Sequence, residues 1–300
     1  MISRRRALLP VLLVTLLAPS LVARPQGGVD KSLFLSALDE AGKPVKGLTA
    51  DDILIREDNL DRTIVAVKPA SQPISVAVLV DTAQGTRVTD AYGTPEDYVR
   101  DLRVAVGGFA KHLLAQSPDA SVSLMEFGQA AITMVPFTRD PAVFANGVNK
   151  IVSRPGVGSV LFEALAQANN DLSSQPSARR AIVSLNLEPS DEQSRQEPKK
   201  IVESFRKSGA QLWAVSVQRG NLKTAKHDVV LNDFAKATGG RRDFVVGISA
   251  VEGILKNYAD TLAGQYEVTY KRPESKKPAQ IIMVGNTRGL KIHARGFAPQ

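Results

Sequence analysis

The stretch Ile74-Ser75-Val76-Ala77-Val78-Leu79-Val80-Asp81 is apolar almost without a break, is of strand length, and ends on an acid. A strand with one wet face alternates. An unbroken run is what a central parallel strand needs when helices cover both its faces. Two further runs of this kind lie at Ala181 to Leu187 and Gln211 to Val217. Helical spacing separates and follows them. It is clearest in Tyr98 to Leu114, where Val99, Leu102, Val106, Phe109 and Leu113 share one face. Pro141 to Val152 begins on a proline suited to a first turn. Ser159 to Leu172, Pro198 to Lys207, Val229 to Thr238 and Val251 to Ala263 also read as helices, the third of these stopping at Gly239-Gly240. Strands at Ser121 to Phe127, Ala131 to Phe137 and Asp243 to Val246 complete the alternation. The pattern predicts an α/β domain over residues 74–263, with a doubly wound, mostly parallel sheet.

Outside that domain only strand signals appear. Ser32 to Leu38, Asp51 to Glu57 and Thr63 to Val67 are separated by the turns Asp39 to Pro44 and Asp58-Asn59. Gln265 to Tyr270, Ile281 to Val284 and Leu290 to Arg295 follow, across the charged loop Lys271 to Lys277. Three short strands cannot bury a core alone. Residues 30–70 and 264–297 are therefore expected to pair as two parts of one small β-sandwich-like lobe, with the α/β domain inserted between them.

The first residues have the layout of a secretory signal peptide over 1–23: Arg4-Arg5-Arg6, an apolar segment, and a plausible cleavage site at Leu21-Val22-Ala23. An uncleaved anchor is the alternative, opposed by Pro10, Pro19 and the shortness of the apolar segment. Sec export to the periplasm or beyond is expected, and Ser3-Arg4-Arg5-Arg6 also fits a twin-arginine signal. There is no cysteine, which excludes a lipoprotein, disulfides and thiolate metal sites. The remaining ~275 residues are enough to bury a core without them. The formal charge of +8 includes the three leader arginines. With aromatics at 5% and no nucleic-acid motif, a mildly basic solvated surface is a better reading than a nucleic-acid partner.

In an open α/β sheet, ligands sit outside the carboxyl ends of the strands. Here that rim comprises Asp81-Thr82-Ala83-Gln84-Gly85, Gly156-Val157-Gly158-Ser159 and Asn186-Leu187-Glu188. Each has a plain structural reading. Asp81 suits a turn bonding its own backbone, Ser159 suits the N-cap of a helix beginning at Val160, and the glycines suit a tight turn rather than a phosphate loop. His112, His227 and His293 are scattered, with His112 placed on a helix surface. Glu188, Asp191, Glu192 and Glu197 read as a solvated acidic loop. Trp213 reads as core. No catalytic motif is present, so an enzyme is not expected.

The order of motifs along the chain resembles the von Willebrand factor A-type family, in the VWFA-related group called the acidobacterial type. The resemblance rests on Ala41-Gly42-Lys43-Pro44-Val45-Lys46-Gly47-Leu48-Thr49 with Asp51-Asp52 and Arg56-Glu57-Asp58. It also rests on Leu262-Ala263-Gly264-Gln265-Tyr266 and the closing segment Gly289 to Pro299. It implies a metal-ion-dependent adhesion site, with Asp-x-Ser-x-Ser after the first strand, a later Thr and a later Asp holding Mg²⁺. This sequence departs from that site. Asp81 matches, but Ala83 and Gly85 stand at the serines, Ser159 at the Thr, and Leu187 at the later Asp. Thr82, Thr86 and Glu188 are out of register. Mg²⁺ wants several converging oxygens, so no metal or other cofactor is expected. The resemblance implies a metal-independent protein-binding module of adhesion or scaffold type. Its partner is an unidentified protein meeting a rim of Asp81, Thr82, Gln84, Thr86, Ser159 and Glu188. The alternatives are a structural envelope component and an envelope enzyme with an unrecognised site.

Overall fold

The computed structural model describes residues 28–84, 95–155, 157–218, 224–274 and 279–298. The predicted leader, 1–23, lies outside them. Among the described residues no helix is long and apolar enough to cross a membrane.

In chain order the strands are β1 (Val29–Leu38), β2 (Ile53–Glu57), β3 (Leu60–Asp61), β4 (Ile64–Pro69), β5 (Ile74–Asp81), β6 (Ala83–Gln84), β7 (Ser121–Phe127), β8 (Ala131–Thr138), β9 (Arg154–Pro155), β10 (Arg179–Glu188), β11 (Gln211–Gln218), β12 (Arg242–Val245), β13 (Tyr266–Arg272), β14 (Ile281–Gly285) and β15 (Lys291–Ala294). The helices are α1 (Pro95–Gln116), α2 (Pro141–Val148), α3 (Leu161–Ser173), α4 (Pro198–Ser208), α5 (Ala225–Val229), α6 (Ala235–Thr238) and α7 (Val251–Ala263). A π-helical turn, Val230–Phe234, joins α5 to α6.

The central sheet has the order β12-β11-β10-β5-β7-β8. Every pairing is parallel except that of the edge strand β8 with β7. All eight residues of β5 are buried, as its composition requires. Val76, Val78 and Val80 pack with Leu102, Phe109 and Tyr258 on one face. Ala77 and Leu79 pack with Leu165, Phe205 and Leu231 on the other. Each such aliphatic side chain contributes about 1.5–3 kcal/mol on burial. The chain goes from β5 to β7 on one side and later to β10 on the other. The strand order therefore switches between β5 and β10, and a crevice opens at their carboxyl ends.

The remaining strands form a lobe. One antiparallel sheet has the order β15-β1-β13-β4, and a second has the order β14-β2-β3. They share a core containing Leu35, Ile55, Val268 and Tyr270. The first strand of the described chain thus pairs with two of the last three, Leu33 opposite Val268 and Ala37 opposite Ile292. The α/β domain leaves this lobe after β4 and returns to it at β13. Gln265 fastens the return, donating to Gln211 Oε1 at 2.7 Å.

One helix is shorter than its apolar pattern suggests. Helix α2 ends at Val148 rather than Val152. Lys150 and Ile151 donate instead to the carbonyls of Gly147 and Val148, a turn that buries Ile151 outside the helix.

Candidate functional site

Asp81 ends β5 at the switch point and is completely buried. Its Oδ1 accepts from Ala83 N at 2.9 Å, the expected turn closing on its own backbone. Its Oδ2 accepts from Leu187 N at 3.2 Å, across the crevice. Both carboxylate oxygens are thus engaged by the backbones of two residues that stand where the resemblance places metal ligands. Burial pushes the Asp81 pKa up to about 8, against the lowering effect of these two bonds and of nearby His227. The Leu187 side chain is buried in the same apolar cluster as Val80. It is a core residue at the ligand position.

Thr82 and Ser159 are also buried, and neither hydroxyl has a hydrogen-bond partner among the described residues. Ser159 does not cap the helix. Helix α3 begins at Leu161, and its free N–H groups are met from far along the chain: Leu161 N donates to Glu192 Oε2 at 3.3 Å and Phe162 N to Ser194 Oγ at 3.0 Å. The Ser159 backbone instead ladders with the loop after β10, donating to Asp191 O and accepting from Gln193 N, both at 2.8 Å. Gly158 leaves room for this loop, since a Cβ there would lie 2.3 Å from the Gln193 side chain. Gly85, Thr86 and Gly156 lie outside the described residues, as does the side chain of Gln84.

Two hydroxyls and one carboxyl already bonded to backbone N–H groups do not make the oxygen shell of a hard dication. Glu188 does not complete it. Its side chain is engaged in a buried cluster that the sequence did not reveal. His227 Nδ1 lies 3.0 Å from Glu188 Oε1, and His227 Nε2 lies 2.6 Å from Glu192 Oε2. Arg242 Nη2 donates to the same Glu188 oxygen at 2.8 Å, and Arg242 also pairs with Asp228. Thr224 N donates to Glu188 Oε2 at 2.9 Å. His227 is fully buried and the two glutamates nearly so, so the acidic loop expected to be solvated is in part an interior ion cluster. Asp191 and Glu197 remain exposed. Burial alone would lower the His227 pKa, but the two carboxylates outweigh it and raise it to about 9. Burial would likewise raise the Glu192 pKa, and the hydrogen bonds from His227 and Ser194 carry it below its ordinary value. Among the described residues no group of His, Cys, Asp or Glu is arranged to hold a metal ion.

The other expectations are easily placed. Trp213 is fully buried and packs edge-on against Tyr258. His112 is partly buried, 2.7 Å from Asp260. Of the six rim residues named from the sequence, Asp81, Thr82, Ser159 and Glu188 present almost no surface. They shape the rim from beneath, while Gln129, Arg154, Asp191, Gln193 and Arg195 are exposed around it.

No family model matches the chain, and no curated protein matches it. Solved structures do. A von Willebrand factor type A protein from Catenulispora acidiphila is 11% identical, with a TM-score of 0.50 over 92% of this chain and 74% of its own. Proximal thread matrix protein 1 from the mussel byssus, solved with a zinc-occupied MIDAS motif, is 11% identical with a TM-score of 0.52, over 70% of this chain and 50% of that one. The PilB minor pilin from Streptococcus sanguinis is 14% identical with a TM-score of 0.50, over 66% and 63%. The chain has a von Willebrand factor A-like fold, carried in an antiparallel β lobe formed by its own ends.

Proposed function

We propose that the chain is an exported, metal-independent protein-binding module of adhesion or scaffold type. The observation that carries this reading is the sealed state of Asp81. Backbone N–H groups of Ala83 and Leu187 occupy both its oxygens, and its pKa of about 8 leaves it largely uncharged at neutral pH. A carboxyl kept largely neutral by burial, with a backbone N–H on each oxygen, is a poor ligand for Mg²⁺. The positive charge at this end of the sheet comes instead from His227 and Arg242. That a minor pilin and a byssal thread-matrix protein share the fold supports an adhesive or scaffolding role by analogy. The leader-like residues 1–23 support export.

The buried ion cluster does not favour an enzyme. Both ring nitrogens of His227 face carboxylates, and the ring has no exposed surface from which to exchange a proton with a substrate. We read it as a clasp that holds the loop after β10 against α5. The binding surface is then the exposed side of that loop, Asp191, Gln193 and Arg195. Cross-linking on intact cells followed by pull-down tests this. A partner retained in EDTA and lost on replacing these three residues by alanine is expected. Partners that all survive the triple replacement would remove this rim as the interface.

A further inference from the structure

The strands of the central sheet begin at the opposite pole, where buried charge has a different setting. Arg179 and Arg180 open β10, and Arg295 directly follows β15. All three line one cavity of about 230 Å³ between the α/β domain and the β lobe. Arg179 is 4% exposed. It donates to Gln265 Oε1 at 3.2 Å, to Gln72 O at 3.0 Å and to Leu262 O. Arg180 donates to Ser208 O at 3.0 Å and Gln175 O at 3.1 Å, and its buried Nε has no partner among the described residues. Arg295 donates to Arg206 O at 3.1 Å. It lies against Gly209, where a Cβ would come within 2.8 Å of Arg295 Nη1. Gly209, already needed at φ +70° to end α4, therefore also makes room for this guanidinium.

Every one of these acceptors is neutral. Elsewhere buried arginines meet carboxylates, Arg242 with Glu188 and Arg272 with Glu57. Arg179, Arg180 and Arg295 form no ion pair among the described residues. Burial lowers the pKa of Arg179 to about 10, so it remains a cation at neutral pH, and burial also lowers that of Arg295. Arg179 is buried and Arg180 and Arg295 are half-buried, and like charges gathered around a small cavity, with no counter-charge among the described residues, are costly to desolvate. A guanidinium fork matches the oxygens of an oxoanion and bonds them more strongly than it bonds a carbonyl.

We propose that this cavity is an anion site that takes a small tetrahedral oxoanion, a phosphate or sulfate group, between Arg179, Arg180 and Arg295. The volume is below that of pockets for drug-sized molecules, so the group enters as the free ion or as the end of a small monoester. Arg179 and Arg180 belong to the α/β domain and Arg295 to the lobe. A bound anion therefore ties the two together.

The test is thermal unfolding of the full chain in sodium phosphate, sodium sulfate, glycerol 3-phosphate and sodium chloride at matched ionic strength. Phosphate or sulfate is expected to raise Tm saturably, and chloride is not. A shift with glycerol 3-phosphate assigns the site to monoesters as well, and its absence restricts the site to the free ion. Arg180→Gln and Arg295→Gln should each weaken the apparent affinity about tenfold, as expected for one lost charge-assisted bond. No saturable shift, the same shift in chloride, or a shift unchanged in both variants would overturn the proposal. Phosphorus NMR of inorganic phosphate titrated with the unaltered protein reads the site without any substitution. Absence of saturable line broadening there would be equally decisive against it.

Discussion

At the carboxyl ends of β10 and β11, Arg242 meets Glu188, and His227 lies between Glu188 and Glu192. At the amino end of β10, Arg179 and Arg180 meet only amide and carbonyl oxygens. The same sheet thus buries charge in two ways. At the carboxyl pole, acids and bases of the chain pair with one another. At the amino pole the positive charge has no counter-charge among the described residues. On the readings proposed above, the difference separates a pole that needs no outside ion from one that takes an anion, and it can be broken from either side.

The largest effect is expected from His227→Ala. It leaves Glu188 and Glu192 buried without the cation between them, and breaking a buried pair in this way costs about 3–5 kcal/mol. Urea unfolding measures it. A loss below about 1 kcal/mol would mean that the cluster is solvated rather than buried.

The same residue sets a pH dependence. His227 is raised from an ordinary 6.5 to about 9, so the folded state holds its proton more tightly than the unfolded chain. The stabilisation is complete below about pH 6.5 and is lost as pH rises through 9. Its size is on the order of 3 kcal/mol. Unfolding free energies measured across this range should fall, and in His227→Gln the fall should become shallower, keeping only the part below about pH 8 that Asp81 carries. A slope unchanged by the substitution would assign it to other groups.

At the other pole a smaller loss is expected. Arg179→Met removes a charge with no acidic partner, which offsets part of the cost of leaving the Gln72 and Leu262 carbonyls without a donor. A net change of about 1–2 kcal/mol follows. A loss equal to that of His227→Ala would erase the contrast between the poles.

Most of the fold was legible in the sequence because it is written in local periodicity. The apolar runs at 74–81, 181–187 and 211–217 are the three central strands, and α7 spans the residues its spacing marks. Helix α2 was overextended because Ile151 and Val152 continue an apolar pattern that the backbone abandons at Val148. The site was less legible because its bonds are long-range. Ser159 looked like a cap, but the caps of α3 come from Glu192 and Ser194, more than thirty residues later. His227 looked isolated because its two carboxylates lie 39 and 35 residues away. One sign was available: Glu188 directly follows an otherwise apolar buried strand, where an acid needs a partner. The apolar run begins at Ala181, whereas the strand begins two residues earlier and includes Arg179 and Arg180.

The smallest loss should come from Asp81→Asn. Asp81 goes from an ordinary 3.8 to about 8, so at pH 7 the folded state already holds a mostly neutral side chain. The raised pKa favours folding at low pH, and that advantage is lost progressively as pH rises from about 4 to 8. The amide stays neutral without taking up a proton on folding, which offsets its poorer hydrogen bonding, so stability at pH 7 should not fall and this part of the pH dependence should disappear. A large loss, measured by the same unfolding titration, would show that the ionised carboxylate matters.

Metal independence is tested most directly by the thermal unfolding of the unaltered protein in EDTA and in millimolar Mg²⁺ or Mn²⁺. A ligand binding only the folded state adds roughly 2.7 kcal/mol at a hundredfold excess over its dissociation constant. With Asp81 sealed by Ala83 and Leu187, the three melting curves are expected to coincide. A saturable, metal-dependent rise in Tm would contradict the reading and would make Asp81, with the unpartnered hydroxyls of Thr82 and Ser159, a working metal site.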